Sequence, residues 1–206
     1  MFVVSGLEKV YEIAPIFRAE KSPTTRHLTE FTGIDMEMGF IKDEHDVMDA
    51  VEKYILSLLT TIKKECVTEL AHLGVSIDIP KTIPRLSLFD LRKILKEQGK
   101  TLPEQEDPDA ESERMMGEYV KKKYHSDLVF ILDYPWTKRP FYHMRPDNKK
   151  VTKSFDLLYK GVEIGTGAQR EHRLEILEAQ AKEKGIDLKK MPFYRDIFRY
   201  GAPPHG

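Results

Sequence analysis

Apolar and polar positions alternate through VYEIAPIF and again through EFTGIDMEM, with a polar segment carrying Pro23 and two threonines between them. A period of two is the mark of half-buried strands, so residues 10–40 read as a long antiparallel hairpin. From Asp43 to Leu73 the period lengthens. Val47, Val51, Tyr54, Ile55, Leu58, Leu59 and Ile62 recur at three- and four-residue spacings, predicting an amphipathic helix with an acidic first turn that Gly74 ends. PRLSLF then reads as a short strand and DLRKILKEQ as a helix stopped at Gly99. The Pro- and acid-rich residues 100–112 read as a surface loop, followed by a helix to about Tyr124. Strands are predicted at 127–135, 139–146 and 153–164, the last with a turn at Lys160-Gly161. Gln169 to Lys184 reads as a helix, and PFYRDIFRY as a final short one. Strands grouped apart from helices predict an α+β fold, a mainly antiparallel sheet flanked by helices.

Composition narrows the picture. The chain has 206 residues, 40% of them hydrophobic, enough for one domain with a core of its own. No apolar run approaches the roughly 20 residues of a membrane span, and MFVVSGLEKV lacks the form of a secretory signal. A single cysteine, Cys66, excludes an internal disulfide framework and suits a reducing cytoplasm. Charge is balanced, 33 Lys+Arg against 34 Asp+Glu, so any contact with RNA is local and not the work of a broadly basic face. Lys121-Lys122-Lys123 reads as a solvated helix end, and His45 and His72 as surface residues.

The hairpin concentrates chemistry. It carries Arg18, Glu20, Arg26, His27, Glu30, Asp35 and Glu37 beside apolar residues, more charge than a structural hairpin needs. Asp156 and Glu163 lie seven residues apart in otherwise apolar strands. Such carboxylates need a partner, and Mg²⁺ prefers oxygen ligands; for Asp156 a structural hydrogen-bonding role is an equal reading. Arg170 follows GTG, where the backbone can approach a ligand closely. No GxGxxG or GxxxxGK[ST] motif occurs, so a nucleotide site would be built another way.

FRAE, a short loop and RHLTEFTGIDMEM together resemble motif 2 of class II aminoacyl-tRNA synthetases. SFDLLYKGVEIGTGAQREHR at 154–173 is similar to the same family, in its aspartyl branch of archaeal and eukaryotic type. The resemblance spans about Ser5 to Gly206 and implies a partial class II catalytic domain over 1–206, with the motif 2 hairpin at 10–40 and a metal and aspartate block at 153–173. It implies ATP, Mg²⁺ and L-aspartate as ligands, and a reaction in which a carboxylate attacks the α-phosphorus of ATP and then passes to the 3′ end of tRNA(Asp). Whether tRNA(Asn) is also charged is left open. By resemblance Arg18 is catalytic, bridging the amino acid carboxylate and the α-phosphate; a structural ion pair with Glu20 is its alternative. Ala19, Glu20, Arg26, His27, Leu28 and Phe31 would line the ATP site, with Glu20 on the adenine amino group, Arg26 and His27 on phosphates and Phe31 under the adenine. Loop Lys21 to Thr25 would touch the tRNA acceptor end. Glu163 and Thr166 would hold Mg²⁺, assisted by Asp156; Thr166 stands where the family more often has serine. Asp35, Thr166 and Arg170 would hold aspartate, Arg170 presenting a guanidinium fork to its side-chain carboxylate, with a helix-start salt bridge as the alternative. One hydrogen bond to a charged group gives about 10- to 150-fold discrimination, so further cations are expected to help.

The same resemblance leads one to expect that motif 1, motif 3 and an anticodon-binding OB barrel lie outside these 206 residues, with the homodimer belonging to the full-length enzyme and little activity in this chain alone. Two other readings remain on the same scaffold: an aspartate-activating, amide-forming asparagine synthetase, and a non-catalytic paralogue that binds aspartate or a partner. An asparaginyl enzyme is disfavoured by GAQR after the metal glutamate.

Overall fold

The computed structural model describes residues 2–19, 28–147 and 150–206. Glu20, Arg26, His27 and the loop Lys21 to Thr25 lie outside the described residues. The hairpin forms where its alternation places it: β1 (Lys9–Phe17) pairs antiparallel with β2 (Glu30–Met38). Pro15 is tolerated because β1 has a single neighbour in its sheet, leaving one edge free of ladder bonds. The register sorts the side chains. Ile16 opposite Phe31, Ala14 opposite Gly33, Glu12 opposite Asp35 and Val10 opposite Glu37 share one face; Tyr11, Ile13, Phe17 and Ile34 lie on the other and are exposed.

A second, four-stranded sheet runs in the order β3 (Arg85–Ser87), β4 (Leu128–Leu132), β5 (Ser154–Tyr159), β6 (Val162–Ala168). Only β3–β4 is parallel; the rest is antiparallel, in line with the α+β expectation. Helices cover both faces. The long helix breaks at Cys66 into α1 (Glu44–Glu65) and α2 (Val67–Leu73), and Gly74 ends α2 in the left-handed conformation. Asp43 caps α1 by accepting from the His45 amide at 2.9 Å. Val47, Met48, Val51 and Ile55 of α1 pack on Leu128, Phe130, Phe155 and Leu157. On the opposite face α3 (Leu88–Glu97) and α4 (Ala110–Tyr124) bring Leu88, Leu91, Leu95, Met116 and Val120 against Val129, Ile131 and Leu158. A smaller core forms beside the sheet from α5 (Leu174–Glu183) and α6 (Pro192–Arg199) around Leu177, Ala181, Leu188 and Phe198.

Lys160 (φ 52°) and Gly161 (φ 74°) make the two-residue β5–β6 turn, the left-handed pair such a hairpin demands. α4 crosses this turn so closely that a Cβ on Gly117 would sit 2.6 Å from the Gly161 nitrogen.

Two expectations need correction. Residues 139–146 are not a strand: Pro140 and Pro146 bracket the segment, and its pairing shrinks to one bridge, His143 with Arg170. The Gln180 side chain of α5 takes over two of its carbonyls, donating to Phe141 at 2.6 Å and His143 at 3.1 Å. The helix after β6 begins at Leu174, not Gln169, because the backbone of 169–171 is held extended. Gln169 N–H donates to the Lys153 carbonyl, Arg170 N–H to His205 and Glu171 N–H to Tyr142.

That extension joins the two sheets. Met38 and Gly206 exchange backbone hydrogen bonds at 2.7 and 3.0 Å, while His205 accepts from Arg170 at 2.8 Å. Residues 204–206 therefore run between the end of β2 and the continuation of β6, bringing the charged face of the hairpin up to Arg170.

Candidate functional site

Three of the expected residues, Arg18, Phe31 and Asp35, share the inner face of the hairpin with Glu37. Phe31, Asp35 and Glu37 follow from the β2 register, and Arg18 continues it, its amide donating to the Thr29 carbonyl at 2.9 Å. The Arg18 guanidinium lies over the Phe31 ring, 5.4 Å from its centroid. Gly33 sits between Phe31 and Asp35; a Cβ there would meet Ile16 Cγ1 at 2.7 Å and the Asp35 carboxylate at 3.2 Å, so its bareness lets both side chains lie on this face. Ala19 and Leu28 are exposed at the far end of the hairpin.

Arg170 meets this face. Its Nε lies 3.7 Å from Glu37 Oε1, an ion pair too long for a hydrogen bond, and Glu37 Oε1 is buried with no hydrogen-bond partner among the described residues. The guanidinium also stacks 4.9 Å from the centroid of Tyr142. A cavity of about 370 Å³ opens here, lined by Val10, Glu37, Tyr142, Arg170 and Tyr194 among others. Its size suits a small molecule, and a guanidinium beside a carboxylate in a mostly apolar hollow suits a zwitterion. Arg170 is thus in a strand extension facing the hairpin, not at a helix start.

The second block gathers around a bulge. Asp156 pairs with Thr166 and Leu157 with Gly165, but Leu158 pairs with Glu163, so Ile164 is left over in β6. Three residues apart on a regular strand, Glu163 and Thr166 would face opposite ways; the extra residue puts both on the face of Asp156. Asp156, however, is engaged. Arg139 holds both its oxygens, Nη1 to Oδ1 at 3.1 Å and Nη2 to Oδ2 at 2.6 Å, and reaches Thr166 Oγ1 at 3.5 Å. For Asp156 the structural reading therefore describes this conformation, and its lone pairs are directed at a guanidinium. Glu163 and Thr166 are exposed on one face, a carboxylate and a hydroxyl of the kind Mg²⁺ takes beside waters and phosphates, and the Thr166 hydroxyl donates to the Phe155 carbonyl at 3.3 Å. Among the described residues no three His, Cys, Asp or Glu side chains converge as a metal cage.

Sequence reasoning missed Arg139, and it noted Glu37 only as one of the hairpin charges. KRP reads as a loop-entry cation, and only its surroundings distinguish it: the guanidinium lies 3.8 Å from the Tyr134 ring centroid and its side chain is 12% exposed. Burial would lower its pKa, but Asp156 outweighs that and raises it, so the charge is fixed. Asp107, from the acidic loop, lies close enough to feel Arg139, with burial pushing its carboxyl up. That loop is tied down here: Gln105 accepts from Thr137 Oγ1 at 3.2 Å and Lys138 pairs with Glu106 at 2.5 Å. His143 was also missed. It is buried, and burial, with smaller contributions from the Arg170 and Arg139 charges, holds its pKa down at about 3.

Comparison with known proteins matches this arrangement to one family. An aspartate–tRNA(Asp) ligase of Thermococcus kodakarensis is 45% identical over 208 aligned residues, covering 100% of this chain and 48% of that protein. An aspartate–tRNA(Asp/Asn) ligase of Aeropyrum pernix is 46% identical, covering 99% of this chain and 47% of its own length. The solved structure of an aspartyl-tRNA synthetase from Entamoeba histolytica superposes with a TM-score of 0.94 at 33% identity, over 99% of this chain and 43% of that one. The chain spans about half the length of the curated relatives it matches. No helix among the described residues is long and apolar enough to cross a membrane. The family model for class II tRNA synthetases (D, K and N) matches residues 1–206, and the chain belongs to that family.

Proposed function

We propose that this chain is the part of an aspartate–tRNA ligase that binds L-aspartate and ATP. In the reaction the α-carboxylate of aspartate attacks the α-phosphorus of ATP, a P–O bond forms, the α–β anhydride breaks and pyrophosphate leaves. The 3′-terminal hydroxyl of tRNA(Asp) then attacks the activated carbonyl and AMP leaves. Such chemistry needs alignment and charge neutralisation, not a covalent catalyst. Arg18 is the cation for the amino acid carboxylate and α-phosphate, and Phe31 the platform for adenine. Asp35 and Glu37 are the carboxylates for the substrate ammonium, and Arg170 the fork for its side-chain carboxylate. Glu163 and Thr166 would hold Mg²⁺, which supplies charge neutralisation at the phosphates when bound. tRNA(Asn) as a second acceptor, a homodimeric assembly and a cytoplasmic location go with this reading.

The observation that carries the proposal is the Arg170–Glu37 pair in its 370 Å³ cavity, opposite charges side by side where an acidic amino acid presents opposite charges. Calorimetric titration of the 206-residue chain tests it. L-Aspartate should bind about tenfold or more tighter than L-asparagine, and Arg170→Leu should remove that preference. Equal binding of both amino acids, or a preference that survives Arg170→Leu, refutes the assignment.

A further inference from the structure

Arg139 spans two strands of the block that carries Asp156, Glu163 and Thr166. Its Nη1 donates to Asp156 Oδ1 at 3.1 Å and lies 3.5 Å from Thr166 Oγ1, while Nη2 donates to Asp156 Oδ2 at 2.6 Å. Asp156 and Thr166 are opposite one another in the β5–β6 ladder, so one guanidinium fills the place between their oxygens. It is held there from behind. Its Cζ lies 3.8 Å from the Tyr134 ring centroid, and the Arg139 amide donates to the Trp136 carbonyl at 3.3 Å. Lys184 of α5 ties down the same turn, donating to the Trp136 and Thr137 carbonyls at 2.7 and 3.1 Å.

A divalent ion held by Asp156 and Thr166 together would have to take the place of that guanidinium. Displacing it is costly. The Arg139 and Asp156 side chains are 12% and 7% exposed, and a guanidinium driven off its carboxylate would be left desolvated and unpaired. An ion that leaves Arg139 in place is repelled by it at close range. What the face then offers is the Glu163 carboxylate and the Thr166 hydroxyl, a single negative charge for a doubly charged ion. Mg²⁺ bound through so few protein oxygens takes its remaining negative ligands from substrate phosphates.

We propose that Arg139 keeps bare divalent cations out of this block, so that Mg²⁺ is taken up only together with the phosphates of ATP. This deepens, and rests on, the Glu163–Thr166 metal reading above. The chain's own guanidinium holds the second carboxylate, and metal uptake is thereby coupled to the nucleotide.

The probe is Mn²⁺, a paramagnetic ion that takes the same oxygen ligands, read as broadening of backbone amide signals of the 206-residue chain. In the wild type Mn²⁺ alone leaves the Asp156, Glu163 and Thr166 signals sharp, and adding ATP broadens them. Arg139→Gln keeps a donor beside Asp156 but removes the charge, and should raise the affinity for Mn²⁺ alone by about tenfold or more. Adding Asp156→Asn to that variant should abolish the gain. Where Arg139→Gln does not fold, Arg139→Lys keeps the charge and gives up the fork, and should gain about threefold or more. A folded variant that binds Mn²⁺ no better than wild type, or a gain that survives Asp156→Asn, overturns the proposal. Wild-type broadening by Mn²⁺ alone that matches the broadening with ATP overturns this inference and leaves the metal reading standing. Signals that stay sharp even with ATP overturn both. The wild-type comparison decides the matter where no variant folds.

Discussion

The Arg139 guanidinium holds both carboxylate oxygens of Asp156, at 3.1 and 2.6 Å, with the two side chains 12% and 7% exposed. A pair so far out of water is tightly matched, and its cost is visible when half of it is removed. Arg139→Leu leaves Asp156 charged and unpaired, and should destabilise the chain by about 3–5 kcal/mol. Arg139→Leu combined with Asp156→Leu should recover most of that loss. Urea unfolding of both singles and the double, closed as a thermodynamic cycle, reads the coupling; additive losses would mean that the pair contributes nothing specific.

His143 also makes stability depend on pH. Its ordinary pKa is 6.5, and the folded chain lowers it to about 3. Below 6.5 the unfolded chain takes up a proton that the folded chain refuses, so this contribution is fully present above pH 6.5 and is lost as pH falls toward 3. The loss runs at up to about 1.4 kcal/mol per pH unit across that window. His143→Gln should flatten the difference. Denaturant midpoints of wild type and variant at pH 7, 6 and 5 should converge as the pH drops, and parallel curves would contradict the assigned shift.

Gly117 and Gly161 set how closely α4 lies on the β5–β6 turn. A Cβ on Gly117 would come within 2.6 Å of the Gly161 nitrogen and 2.8 Å of its Cα, backbone atoms that no rotamer change can move aside. Gly117→Ala should therefore cost about 3 kcal/mol, the upper end of overpacking losses. Thermal unfolding checks this, and a Gly117→Ala midpoint equal to wild type would contradict it.

Metal affinity should depend on the bulged edge of β6. Glu163→Gln keeps the shape and removes the charge, and should weaken Mg²⁺-dependent ATP binding by about tenfold or more. Asp156→Asn should weaken it far less, since Arg139 already takes that carboxylate. Titration of ATP with and without Mg²⁺ separates the two, and equal effects would return Asp156 to the metal.

Much of the fold was legible from local pattern. The hairpin, the α1 segment, α3, α4 and the β5–β6 turn are encoded in neighbouring residues: period two in VYEIAPIF, period 3.6 from Val47, a left-handed Lys-Gly pair. Residues 139–146 misled because FYH looks like strand, while its own Pro140 and Pro146 and the Gln180 amide some 40 positions along the chain oppose one. Arg170 misled in the same way, its extended backbone being held by His205.

By itself the sequence determined the family, the α+β class and which residue types could bind an acidic amino acid and a nucleotide, because those follow from spacing and motif within single segments. Only the tertiary structure decided which side chains meet. Residues 204–206 bring Arg170 to Glu37, a bulge at Ile164 turns Glu163 and Thr166 the same way, and Arg139 claims Asp156 before a metal can. The first and third join segments far apart in the chain, and the register shift that makes the bulge is a backbone feature that period-two patterning does not specify.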